Sequence, residues 1–139
     1  MGLRKRLLAV FLLLGCFSLQ KIHAASPLQI DQLSCEYLHN PIGIDTRTPC
    51  FSWTMLSTKR NQFQSAYEII VSSKQDEIQK LKGSAWNTGK VTSSQNINIK
   101  YAGASQSFTK YFWRVRVYDE KGEVSAWSAI NSFETALLN

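Results

Sequence analysis

Apolar and polar residues alternate with a period of two along most of this chain, the pattern of strands that bury one face. Phe51, Trp53 and Met55 alternate with Ser52, Thr54 and Leu56, and Tyr67, Ile69 and Val71 with Glu68, Ile70 and Ser72. The longest run is 111–118, where Tyr111, Trp113, Val115 and Val117 share one face while Arg114 and Arg116 share the other. Shorter strands are predicted over 28–37, 85–88, 96–100 and 128–135. Asn40-Pro41, Thr48-Pro49, Ala102-Gly103 and Asp119-Glu120-Lys121-Gly122 separate them with turn chemistry. Only 74–81 reads as helical, with Ile78 and Leu81 three apart, and it is expected to form one or two turns linking strands. Six or seven short strands punctuated in this way predict an all-β, two-sheet β-sandwich with one short linking helix. Trp53, Tyr67, Tyr111 and Trp113 are the expected aromatic core, each sheet burying one face against the other.

The first 24 residues follow another pattern. Arg4, Lys5 and Arg6 precede an unbroken apolar run over 7–14, which Phe17 and Leu19 extend before Gln20 and Lys21 restore polarity. The run is shorter than the roughly 20 apolar residues that span a bilayer, so no membrane span is expected. A basic start, a short apolar centre and a small residue at its end describe a secretory signal over 1–24, with Ile22 and Ala24 before the cut. Leu13-Leu14-Gly15-Cys16 supports a competing reading in which Cys16 carries a lipid, but Leu before Gly fits a lipobox poorly. The expectation is therefore an exported protein, periplasmic or extracellular, with one domain over 25–139.

Removing that leader changes the charge. The chain holds 16 Lys and Arg against 10 Asp and Glu, and four of the basic residues, Arg4, Lys5, Arg6 and Lys21, lie in the leader. The remainder has 12 basic and 10 acidic groups, a net charge of +2. So small a balance, with no basic run interleaved with aromatics, argues against a nucleic-acid partner. About 115 residues suit one domain with one core. Cys35 and Cys50 remain; an oxidising compartment permits a disulfide, and two small buried or half-buried thiols are the expected state. With His39 the only histidine left and no cysteine pair at chelating spacing, neither a metal nor another cofactor is expected.

Phe108-Thr109-Lys110-Tyr111, followed by Trp113, Val115, Val117, Gly122 and Ser125, resembles the end of a fibronectin type III or immunoglobulin-like domain. Tyr111 stands where that fold places a corner tyrosine bonded back to the preceding loop. A narrower resemblance covers nearly all of 25–139. Leu33-Ser34-Cys35-Glu36-Tyr37, Asn40-Pro41-Ile42-Gly43-Ile44-Asp45-Thr46 and Phe51-Ser52-Trp53 look like the opening of bacterial α-L-rhamnosidases. Arg60-Asn61-Gln62, Ala66-Tyr67-Glu68-Ile69, Trp86-Asn87-Thr88-Gly89-Lys90-Val91, 111–117 and Ser125-Ala126-Trp127-Ser128 continue it in order. Cys50 and Phe51 depart from the more usual Arg and Leu. The resemblance implies an N-terminal accessory domain of a glycoside hydrolase. It also implies that inverting hydrolysis of terminal α-L-rhamnosides belongs to a large helical-barrel domain far downstream. Ending at Asn139, the chain is expected to be a truncated product, a fragment or one piece of a split gene, with no catalytic residue to carry over.

The residues themselves agree. Inverting hydrolysis needs two carboxylates about 6.5–9.5 Å apart across the scissile bond, whereas Asp76-Glu77 sit in a polar linker and Asp119, Glu120 and Glu123 at a hairpin turn, all expected to be solvated. His39, beside Asn40-Pro41, reads as an exposed loop residue that nothing orients. Exposed aromatics are the remaining functional option, because sugar-binding sandwiches stack rings on flat aromatic faces. The candidates are Trp86, Phe112, Tyr118 and Trp127. Against that, Arg114 and Arg116 are placed to stack on Trp127, and Trp86 to pack on the short helix. The leading expectation is a noncatalytic module packed against a rhamnosidase catalytic region; the alternative is a free-standing secreted module that binds glycan or protein.

Overall fold

The computed structural model describes residues 24–139. The expected leader, apart from Ala24, and Cys16 with it lie outside the described residues. Among the described residues, nine strands form two facing sheets and one helix joins two of the strands: β1 (Gln29–Cys35), β2 (Ile42–Ile44), β3 (Cys50–Leu56), β4 (Gln64–Ser72), α1 (Gln75–Gln79), β5 (Trp86–Asn87), β6 (Val91–Thr92), β7 (Ile99–Lys100), β8 (Lys110–Asp119) and β9 (Asn131–Thr135). The smaller sheet has the order β1-β3-β7. The larger runs β2-β9-β8-β4-β5, with β6 also on β4. Every pairing is antiparallel except β2 with β9. This is the all-β, two-sheet sandwich with one short helix that the alternation predicts, in the immunoglobulin-like form that the resemblance implies. Among the described residues no helix is long and apolar enough to cross a membrane.

Alternation along β3, β4, β8 and β9 delivers the core. Trp53, Tyr67, Tyr111 and Trp113 are all buried, together with Phe51, Tyr101 and Phe133. Phe51 stacks on Trp113 at 4.3 Å between ring centroids, and Tyr111 on Phe133 at 5.1 Å. Tyr111 bonds back to the preceding loop as expected: its hydroxyl accepts from the Gln106 amide at 3.0 Å and donates to the Ala104 carbonyl at 3.4 Å. Tyr101, outside the expected core set, is fully buried and donates to the same carbonyl at 3.1 Å. Gly103 lies against its ring so closely that a Cβ would collide with the Tyr101 hydroxyl.

Several boundaries differ from expectation. The helix is five residues long rather than eight, and Leu81 is exposed while Ile78 is buried. Its neighbourhood is held by Glu77, which accepts from the Ser72 hydroxyl at 2.6 Å and from the Ser84 hydroxyl, and pairs with Lys74 at 3.6 Å. The two serine hydroxyls, and then Lys74, hold the Glu77 carboxyl below its ordinary range. The strand expected over 85–88 is the two-residue β5, and a second short strand, β6, also pairs with β4 beyond Gly89, whose φ is +59°. Such an interruption leaves an edge too short and irregular to template another chain.

Candidate functional site

On the outer face of the larger sheet, β8 presents Phe112, Arg114, Arg116 and Tyr118, because its inward positions are taken by Tyr111, Trp113, Val115 and Val117. Register places Glu68 of β4 beside Arg116. The Glu68 carboxylate accepts from Arg116 Nη2 at 2.6 Å and from its Nε at 2.7 Å. One guanidinium thus becomes a fixed platform, 4.7 Å from the Trp127 ring centroid and 5.9 Å from that of Tyr118. Lys90 covers Tyr118 at 4.3 Å, and Lys110 lies 5.5 Å from Phe112. Burial raises the Tyr118 hydroxyl above its ordinary pKa, Arg116 and Glu68 pulling in opposite directions.

The strand expected over 128–135 begins only at Asn131, and the preceding segment follows β8 by a different device. Ser125 donates its amide to Val117 at 2.8 Å and accepts the Val117 amide on its hydroxyl at 3.0 Å. Ser128 does the same with Val115, at 2.8 and 3.1 Å. Two serines three residues apart therefore satisfy two β8 residues that are two apart. That mismatch keeps 125–128 out of strand geometry and leaves Trp127 between the serines, half-buried over Arg116. Arg114 does not join the stack: its Nε donates to the Ser128 carbonyl at 2.7 Å, and burial lowers its pKa.

Phe112, Tyr118 and Trp127 are therefore outward but already engaged by cations. Trp86 differs from expectation in its packing partner. It packs not on α1 but on the core rim, 5.3 Å from Tyr101 in an edge-on pair and 6.3 Å from Phe51. Trp127 and Tyr118 share the Arg116 guanidinium, whereas Trp86 belongs to the core rim. Replacing Trp127 with Ala should lower stability by only about 0.5–1 kcal/mol, the worth of an exposed cation–π stack. A thermal melt checks it, and any glycan binding should be unchanged.

The acidic residues and His39 also differ from the sequence reading. Asp119 is not solvated: it is 1% exposed, and its Oδ1 accepts the Lys121 and Glu123 amides at 2.9 Å each. The turn folds back over the carboxylate because 119–123 needs an acceptor for those amides. Glu120 accepts from Gln62 at 3.2 Å. His39 is exposed but tethered, its Nδ1 3.3 Å from Asn131 Nδ2 and 3.4 Å from the Leu33 carbonyl, its Nε2 3.1 Å from Asn40 Nδ2. Cys35 and Cys50 are free thiols; burial, and then Glu36, pushes the Cys35 thiol well above its ordinary range. Among the described residues no group of three or more His, Cys, Asp or Glu is placed to hold a metal.

The opposite outer face, on the smaller sheet, holds what the alternation did not reveal. A cleft of about 770 Å³ opens there, bordered by Ser34, Tyr37, His39, Ser52, Thr54 and Asn96 among others. Tyr37 is 70% exposed. Its signal in the sequence was a tyrosine just ahead of the His39-Asn40-Pro41 turn, hidden because 28–37 was read as one strand.

Comparison with known proteins matches residues 30–139 to the Rha78A-like, N-terminal immunoglobulin domain. An α-L-rhamnosidase of Formosa agariphila is 36% identical over 96% of this chain, and one of Streptomyces avermitilis 38% over 81%. The chain spans only 14% and 11% of those two enzymes. Among solved structures, the α-L-rhamnosidase of Dictyoglumus thermophilum is 42% identical, with a TM-score of 0.77 over 79% of this chain and 12% of its own. The Streptomyces avermitilis enzyme, complexed with L-rhamnose, gives a TM-score of 0.75 at 38% identity, again over 79% of this chain and 11% of its own. With the family match running through every strand described above, this chain belongs to the Rha78A-like N-terminal immunoglobulin domains of α-L-rhamnosidases.

Proposed function

We propose that this chain is the noncatalytic N-terminal module of an exported α-L-rhamnosidase and packs against a catalytic region that lies elsewhere. The observation that carries the reading is the span of the match: the similarity covers this sandwich and only 11–14% of the relatives' length. The carboxylates support it. Glu68 is committed to Arg116, Glu77 to Ser72 and Ser84, and Asp119 to the backbone of its own turn. A general acid needs a raised pKa and a paired base facing it across a bound glycoside, and Glu77 is shifted the opposite way.

The purified chain should release no p-nitrophenol from p-nitrophenyl α-L-rhamnopyranoside. Turnover that followed the protein through successive purification steps would overturn the noncatalytic reading. Export is tested separately. The secreted protein should begin at Ala25 on N-terminal sequencing, and a lipid on Cys16 would replace cleavage after Ala24 with a membrane anchor.

A further inference from the structure

The cleft on the smaller sheet has a built wall. Glu36 and Tyr37 both occupy the left-handed region, with φ of +51° and +62°. They form a two-residue turn that Cys35 and Leu38 close with reciprocal backbone bonds of 2.9 and 3.0 Å. The turn aims the Tyr37 side chain back across the sheet, where its hydroxyl donates to Asn98 Oδ1 at 2.6 Å. Asn98 has a φ of +57°, and its amide donates to the Ser52 hydroxyl at 3.1 Å. Left-handed backbone at Glu36, Tyr37 and Asn98 therefore fixes the Tyr37 ring at the border of the cleft. The outcome is an aromatic ring tethered at both ends and still 70% exposed.

The floor is set by register. Ser34 of β1 lies opposite Ser52 of β3, and Thr54 continues the row, accepting the Gln32 amide at 3.2 Å. Asn96 adds an amide, its Nδ2 on the Trp53 carbonyl at 2.9 Å. Apart from exposed Asp31 and the tethered His39, the lining is neutral, and among the described residues no Lys or Arg borders it. Hydroxyls and amides match the hydroxyls of a sugar, and a fixed aromatic face matches its apolar C–H face. The absence of a cationic partner disfavours uronates, phosphates and other anions.

We propose that this cleft binds a neutral saccharide, with the Tyr37 ring as its stacking platform and Ser34, Ser52, Thr54 and Asn96 as its hydrogen-bonding floor. A tethered ring loses no rotamer freedom on binding, which favours affinity. A concave pocket with convergent polar groups suits a small ligand better than the broad packing of one domain on another. The site is independent of the module's lack of hydrolysis, so either conclusion can fail without the other.

Affinity electrophoresis of the full chain through gels containing neutral arabinogalactan, neutral arabinan or acidic polygalacturonate tests it. At least one neutral polymer should retard the protein, and polygalacturonate should not. Tyr37→Ala should weaken that retardation about tenfold or more. Tyr37→Phe, which keeps the ring and loses the tether, should weaken it less, and Trp127→Ala should leave it unchanged; circular dichroism checks that each variant is folded. Passage of the wild type through both neutral gels without retardation overturns the proposal, as does full retardation of folded Tyr37→Ala or a preference for polygalacturonate. Hydrogen-exchange protection of Ser34, Ser52 and Thr54 by a rhamnosidase catalytic region, without saccharide binding, would assign this face to domain packing instead.

Discussion

Trp53→Ala and Trp113→Ala should each lower the unfolding free energy by about 3–5 kcal/mol, the usual cost of emptying a buried tryptophan site. Both side chains are essentially inaccessible, at 2% and 0% exposed. Trp113 fills the centre, stacked on Phe51 at 4.3 Å. Trp53 closes one end, edge-on to Tyr67 at 5.3 Å. Neither void can collapse readily, since the residues around it are held in strands on both sheets. A small domain is stable by only about 5–15 kcal/mol, so either variant should be partly unfolded at moderate urea concentration. Equilibrium urea denaturation with an unchanged m-value measures the loss. A variant within about 1 kcal/mol of wild type would mean that the strand phase derived from alternation is wrong.

Gln64→Leu should cost about 2–4 kcal/mol, although it places an apolar side chain in a nearly inaccessible site. Gln64 is 2% exposed, and every bond of its amide is structural. Its Oε1 accepts from Trp53 Nε1 at 3.0 Å, and its Nε2 donates to the Ser93 and Gln95 carbonyls at 3.0 and 2.9 Å. One amide thus ties the core tryptophan to the loop after β6. Leucine fills a similar volume and strands one indole donor and two carbonyls. An unsatisfied buried group costs about 1–3 kcal/mol, less where water can reach it. The same denaturation series reads the effect, and an indifferent variant would show that the loop rearranges to satisfy all three groups.

Local pattern determined much of this protein. Alternation at 51–55, 67–71 and 111–117 assigned the inward face of three strands, because a period of two leaves no choice once one face must be dry. The corner hydroxyl of Tyr111 followed from the resemblance of 108–125 to the end of a fibronectin type III domain, and the family from an ordered set of short motifs. The outward phase of Arg114, Arg116 and Tyr118 was equally legible.

Long-range partners decided the rest. Tyr101 lies next to a Gly-containing turn and carries no strand period, so only the opposite sheet makes it core. Asp119 reads as a polar turn residue, yet the turn wraps its carboxylate in backbone amides. Trp86 has the composition of an exposed edge, but pairing with Val71 of β4 points its ring toward Phe51 and Tyr101. Arg116 rather than Arg114 holds Trp127, since Glu68 fixes the first and the Ser128 carbonyl takes the second. The cleft beside Tyr37 depends on a bond spanning 61 residues, from its hydroxyl to Asn98. Residue spacing within a strand is a local property of the chain, whereas a contact between residues far apart in sequence exists only after both sheets have folded.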